Sequence, residues 1–283
     1  MACLTGLNQT IMMQHPLRVI GRLIGFGVTA LAALIDFAWS VSPRKAAASC
    51  PVRAAWSQRW ARQFLRVLNV RVRCEGAPSA KGLLVSNHLS YLDIVVLSAA
   101  QPIVFVSKAE VRRWPVIGWL ARCAGTVFIR RERKAEVMGL GAVFKSIVQQ
   151  GVVVGLFPEG TSSDGSQVLP FHSSLLEPAV ENAWPISAAW IGYSLQDGCV
   201  EDEVCYWRDM TFGWHFLNLL SKKSIEATVV YGSTLLPGLD RKQMAQLLHA
   251  QVSLIAEERS RQPEPASFPA WRSIPAESSV RTL

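Results

Sequence analysis

His88 and Asp93 stand five residues apart in Ser86-Asn87-His88-Leu89-Ser90-Tyr91-Leu92-Asp93 and together offer a base and an orienting carboxylate. An imidazole with one ring nitrogen held by a carboxylate has its tautomer fixed, so the other nitrogen can take a proton from a hydroxyl. Two residues five apart within one helix point about 140° away from each other. His88 must therefore precede a helix and Asp93 must lie in its first turn. The flanking residues supply that break: Leu83-Leu84-Val85 reads as a short buried strand, Asn87 and Ser90 as a turn or cap, and Leu92 to Ala100 as a buried helix. The Ser90-x-x-Asp93 spacing is equally that of a capping box, in which Asp93 only satisfies backbone N–H groups at a helix start. The segment alone leaves both readings open.

A second group follows Val152-Val153-Val154-Gly155-Leu156-Phe157, a strand pattern stopped by Pro158-Glu159-Gly160-Thr161. Glycine can take φ > 0 there, leaving backbone N–H groups free to cradle an anion or a developing oxyanion, and Glu159 could hold a hydroxyl or a polar head group. An ordinary strand exit with a solvated glutamate would read the same way. A third segment, Gly125-Thr126-Val127-Phe128-Ile129-Arg130-Arg131, is a short β-branched run ending in two arginines.

Taken together these segments resemble the glycerolipid acyltransferase family, whose bacterial type is 1-acylglycerol-3-phosphate acyltransferase. The family's N-H-x4-D matches at Asn87, His88 and Asp93; G-x-x-F-I-x-R at Gly125, Phe128, Ile129 and Arg131; and F-P-E-G-T at Phe157 to Thr161. The resemblance runs from about Val70 to Tyr231. It implies that His88 is the general base, oriented by Asp93, for attack of a lysolipid hydroxyl on an acyl thioester. It further implies that Asn87, Glu159, Gly160 and Thr161 bind substrate and that Arg131 pairs with a phosphate. The co-substrate would be acyl-CoA or acyl carrier protein, with no cofactor and no metal. The chain also departs from the family pattern. Ser162 stands where phosphate-handling members carry arginine, His172 where many carry lysine, and Ala188 where a proline is usual. Thr161-Ser162-Ser163-Asp164-Gly165 with Leu169-Pro170-Phe171 is similar to the branch that acylates lyso-ornithine lipid, a lipid without phosphate. Lysophosphatidate, the commonest family acceptor, is the first expectation and lyso-ornithine lipid the second. A non-catalytic lipid-binding relative and a hydrolase are the remaining readings.

Charge points to a membrane surface. The net charge is +8, and residues 1–75 hold ten Lys/Arg against two acids, so the whole excess lies near the amino terminus. Basic residues beside an apolar segment attract anionic head groups, and no nucleic-acid reader motif is present. Val19 to Val41 is apolar apart from Arg22 and Asp36, a length at which spanning the bilayer and lying in its interface are both open. In residues 52–70, Trp56, Trp60, Phe64 and Val67 share one arc, which fits an interfacial helix or one packed on its own domain. The expected location is an inner membrane, with the catalytic part facing the cytoplasm.

Short β-branched runs alternate with helical stretches from Val70 onward, which predicts a single α/β domain with a mainly parallel or mixed sheet flanked by helices. The expected division is 1–69 for an amino-terminal membrane-associated helical pair, 70–261 for the acyltransferase domain and 262–283 for a proline-rich mobile tail. Strands are expected at 70–74, 83–85, 103–106, 127–129, 152–157, 186–190 and 225–231, and helices at 91–100, 111–123, 134–150, 173–182 and 240–260. Residues 204–220 read as core or as the lining of an acyl tunnel, with His215 a packed histidine. The six cysteines show no metal or redox spacing and read as reduced. Nothing in the chain indicates its oligomeric state.

Overall fold

Side chains alternate across a strand, so a buried parallel sheet needs apolar residues on both faces. The computed structural model, which describes residues 15–41, 49–130, 133–236 and 238–261, shows that arrangement. Strands β1 (Val70–Glu75), β2 (Leu83–Ser86), β3 (Ile103–Lys108), β4 (Val127–Ile129), β5 (Val153–Leu156), β6 (Ile186–Leu195) and β7 (Ile225–Leu235) form one sheet. Its order is β1-β7-β6-β2-β5-β3-β4, a mixed sheet in which only the β6–β7 pair is antiparallel. Leu84, Phe105, Val153 and Ile191 face one side, packed by helices α2 (Cys50–Leu68), α3 (Leu92–Ala100) and α8 (Phe212–Ser221). Leu83, Val85, Val154 and Leu156 face the other, packed by α5 (Lys134–Gln149), α6 (Glu177–Glu181) and α9 (Arg241–Arg261). Helices α1 (Pro16–Asp36), α4 (Ile117–Cys123) and α7 (Val200–Glu203) complete the described elements of this kind.

The expected strands and helices are present, with differences that have local causes. Pro115 cannot donate a backbone hydrogen bond, and the expected helix 111–123 divides there into a 3-10 turn (Ala109–Arg113) and α4. The expected helix 173–182 divides into a 3-10 turn (Ser173–Leu176) and α6, which opens with Pro178. Strand β6 runs to Leu195, past the expected 190, because it pairs with β7 beyond the end of β2, and β7 runs to Leu235, past the expected 231, because its last residues pair with Ile186 and Ser187 at the start of β6. Arg131 and the tail 262–283 lie outside the described residues.

Helix α1 explains how an apolar stretch tolerates two charges. Arg22 turns inward to the carbonyls of Leu220, Lys222 and Lys223, and Asp36 accepts from Arg59 and from Trp60 Nε1 at 2.8 Å. Val19, Ala30 and Ala33 are buried on the same side, while Leu17, Ile20, Ile24, Val28, Leu31 and Ile35 stay exposed at helical spacing. Pro16–Val41 is a helical stretch long and apolar enough to cross a membrane by length and composition. Its exposed apolar stripe points to membrane association. The arc of α2 is mostly used inside the protein: Trp56 and Phe64 are buried, and α2 packs against α1 and α3.

One glycine connects this packing to the site. A Cβ on Gly155 in β5 would fall 2.5 Å from Phe105 Cε1 and 2.8 Å from Ile103 Cδ1. Phe105 in turn stacks on Phe157, with ring centroids 5.5 Å apart. Overpacking of a filled core costs about 1–3 kcal/mol. Gly155→Ala should therefore lower the urea-unfolding free energy of the detergent-solubilised protein by that amount, seen as a lower midpoint at unchanged slope, and an unchanged midpoint would show that the Phe105 ring is not confined.

Candidate active site

Strands β2 and β5 are hydrogen-bonded neighbours running in the same direction, so the loops leaving their carboxyl ends lie side by side. That topology joins two motifs separated by some seventy residues. His88 leaves β2 and Glu159 leaves β5, and the His88 backbone N–H donates to Glu159 Oε1 at 3.3 Å. Ser163 N–H donates to His88 O at 3.0 Å and Tyr206 N–H to Leu89 O at 2.8 Å, so the two loops and the segment before α8 form one hydrogen-bonded web. Ser162 Oγ adds a bond to the Tyr206 carbonyl.

Asp93 lies in the first turn of α3 with its side chain fully buried, and His88 Nδ1 lies 2.7 Å from its Oδ2. The same oxygen accepts from the backbone N–H groups of Leu89 at 2.7 Å and Ser90 at 3.0 Å. The turn-closing contacts and the imidazole contact therefore coexist, since one carboxylate accepts from the turn and lies against the ring. The reciprocal half of a capping box is not made, because Ser90 Oγ is buried without a partner. With Nδ1 committed to Asp93, Nε2 is the nitrogen left for proton transfer. The imidazole face is fixed too: it stacks on Phe157 at 4.0 Å between centroids with the planes 15° apart.

Asn87 is buried and spans the gap to β6, donating from Nδ2 to Ile191 O at 2.9 Å and accepting from Ile191 N–H at 2.8 Å. Its amide replaces one rung of backbone pairing where β2 ends. Glu159 is 3% exposed. Burial, with the nearby Asp93 charge adding to it, pushes its carboxyl up to about 8 against the opposing pull of the His88 and Leu169 N–H groups. A neutral carboxyl agrees with the surroundings of Oε2, which is buried with no partner and can carry the proton. Glu159 thus braces the backbone of His88.

His88, Gly160, Thr161 and Ser162 line a cavity of about 410 Å³ whose other walls are mainly apolar, including Phe26, Phe64, Phe105, Phe212 and Phe216. Gly160 has φ +76°, as the turn reading required. Residues 204–220 divide between the two expected roles: Val204, Leu219 and Leu220 are core, while Tyr206, Phe212 and Phe216 line the cavity. His215 is a packed histidine. Its Nε2–H donates to Cys205 O at 3.0 Å, its Nδ1 accepts from Tyr91 OH at 2.9 Å, and burial lowers its pKa to about 4. Among the described residues no group of His, Cys, Asp or Glu is placed to hold a metal.

Sequence reasoning missed Tyr193, whose hydroxyl donates to Asp93 Oδ1 at 2.6 Å. The expected strand stopped at Trp190, three residues short. The alternation Ala189, Ile191, Tyr193 was the available signal.

Comparison with known proteins shows the family to which the chain belongs. The Acyltransferase family model matches residues 69–192, a span that takes in both motif loops. A lyso-ornithine lipid O-acyltransferase of Rhodobacter capsulatus is 38% identical over 69% of this chain and 73% of its own length. A protein of the same description from Pseudomonas aeruginosa is 34% identical over 72% and 79%. A 1-acyl-sn-glycerol-3-phosphate acyltransferase of Neisseria gonorrhoeae is 34% identical over 41% and 46%. Among solved structures, the 1-acyl-sn-glycerophosphate acyltransferase PlsC of Thermotoga maritima has the same fold, with a TM-score of 0.63, 19% identity, and coverage of 88% of this chain and 97% of its own. These matches define an enzyme that transfers acyl groups. The chain belongs to the acyltransferase family.

The raised Glu159 pKa has a consequence for stability. Between about 4.5 and 8 the folded protein holds a proton that the unfolded chain has released. This contribution to stability is whole below 4.5 and is lost as pH rises towards 8, by at most about 1.4 kcal/mol per pH unit. Glu159→Gln, which keeps the oxygen that accepts from His88, should flatten the fall in urea-unfolding free energy across that window. An equally steep fall in the variant would place the titration elsewhere.

Proposed function

We propose that this protein transfers a fatty acyl group from an acyl thioester, carried by CoA or acyl carrier protein, to the free hydroxyl of lyso-ornithine lipid. The observation that carries the reading is the 2.7 Å contact of His88 Nδ1 with a fully buried Asp93, placed where His88 lines an apolar cavity. In this scheme His88 Nε2 takes the hydroxyl proton as the oxygen attacks the thioester carbonyl. Asp93 stabilises the imidazolium so formed. A C–O bond forms, the C–S bond breaks, and the departing thiolate takes the proton back from His88. No acyl-enzyme is required. The Gly160 N–H closes the turn on Phe157 O, which leaves the Thr161 side of the turn to face the developing oxyanion, and the apolar cavity houses acyl chain.

Two arguments favour lyso-ornithine lipid over the 1-acylglycerol-3-phosphate that the family's commonest activity suggests. Positions that supply cations in phosphate-handling relatives carry Ser162, which is tied to the Tyr206 carbonyl, and His172. A dianionic phosphate would lose two charge-assisted partners. The relatives matched over more than two thirds of this chain include lyso-ornithine lipid enzymes from two organisms, whereas the Neisseria phosphate enzyme matches over 41%. The phosphate acceptor is the second reading, favoured by Arg131 at the end of the Gly125 motif.

The membrane placement follows from α1. Its charged residues face protein and its exposed stripe is apolar, so it lies along the surface of one leaflet and brings the cavity to the lipid. The basic charge of residues 1–75 supports a position at the cytoplasmic face of the inner membrane.

Purified protein given an acyl thioester with each acceptor in turn should release thiol in an acceptor-dependent way. We expect kcat/KM for lyso-ornithine lipid to exceed that for 1-acylglycerol-3-phosphate by about tenfold or more, the effect of losing one charged contact. The reverse order would establish the phosphate acceptor, and release without any acceptor would establish a hydrolase.

A further inference from the structure

Asp93 presents two oxygens, and three donors converge on one of them. Oδ2 receives the His88 ring nitrogen and two backbone N–H groups, while Oδ1 receives the phenol of Tyr193 at 2.6 Å. From these contacts we infer that Tyr193 is a positioning residue for acyl transfer, holding the carboxylate in the one rotation that presents Oδ2 to His88. The inference rests on the proposed role of His88 as base.

Strand pairing shows why the phenol arrives there. β6 runs parallel to β2 as far as the Ser86–Ala189 pair, then continues past the end of β2 as an antiparallel partner of β7, where Tyr193 pairs with Ala227. Alternate residues share a face, so Ala189, Ile191 and Tyr193 all point towards α3. Ile191 holds the Asn87 side chain through its backbone, and Tyr193, one step further along that face, reaches Asp93. A single strand extension therefore fixes both ends of the turn that carries His88.

With Oδ1 unpaired the carboxylate would be held through Oδ2 alone and would keep its angle to His88 less strictly, and at a fully buried position the lost donor is not readily replaced by water. Tyr193 is suited to the task because its proton stays in place. Burial and the adjacent Asp93 charge push the phenol well above its ordinary value, so it donates at every pH at which the enzyme works. A hydroxyl donor also favours the charged form of the acid and so moderates how strongly the carboxylate attracts a proton on the imidazole.

Tyr193→Phe removes the oxygen and keeps the ring. With acyl-CoA and lyso-ornithine lipid in mixed micelles, kcat should fall on the order of tenfold with KM little changed, as for loss of one hydrogen bond to a charged group. The acid limb of the kcat/KM profile should move to higher pH, because a carboxylate lacking its phenol donor retains the imidazole proton more strongly. A variant with lower thermal stability and fewer active molecules, but an unmoved acid limb and unchanged kcat per folded molecule, would reduce Tyr193 to a packing residue and overturn the inference. Wild-type protein that transfers to no lysolipid would instead overturn the underlying functional reading, so the two failures are told apart by the wild-type assay.

Discussion

A carboxylate with no solvent access must find its hydrogen bonds within the protein, and the rest of the site follows from how Asp93 finds them. Four donors reach it: a ring nitrogen, two backbone N–H groups and a phenol. Each comes from a different demand of the fold. The backbone donors exist because the chain must turn between β2 and α3, and the phenol exists because β6 outruns β2. His88 is then the group held by what the fold has already arranged. Removing any donor would leave a buried charge under-satisfied, a far larger penalty than the bond's net worth in water.

Other contacts fix the imidazole in the remaining directions. Phe157 covers one face of the ring, and Phe105 supports Phe157 through space that only a glycine at 155 leaves open. Glu159, expected from the sequence to reach towards substrate, spends its Oε1 on the His88 backbone. Motif residues that look like a list of ligands thus include braces as well as contacts. The apolar cavity beside them opens among α1, α2, α4 and α8, so the membrane-facing helix and the chemistry share walls.

Much of this was legible in the chain. Short β-branched and apolar runs marked the strands, and their punctuation by Asn87, Pro158 and Gly160 placed both motif loops at strand ends. The 140° argument required His88 outside the helix and Asp93 within it, as found. Other features were hidden for physical reasons. Tyr193 lies in a strand extension that depends on pairing with β7, more than thirty residues away, so the alternation Ala189, Ile191, Tyr193 could mark a longer strand without showing that the phenol reaches Asp93. The inward aim of Arg22 and Asp36 depends on α8 and α2 lying beneath α1. The burial that neutralises Glu159 is a property of the assembled loops, which neither the substrate-holding nor the solvated reading of the glutamate contains.

The central claim is that His88 and Asp93 act as a single unit, and a double-mutant cycle in the transfer assay tests it most directly. Groups that act as a unit are strongly non-additive. The account predicts that His88→Ala alone lowers kcat/KM by roughly 10²–10⁴ and that adding Asp93→Asn to it lowers the rate little further. If the two losses instead multiply, with each substitution costing as much in the presence of the other as in its absence, the imidazole and the acid work independently and the account is contradicted.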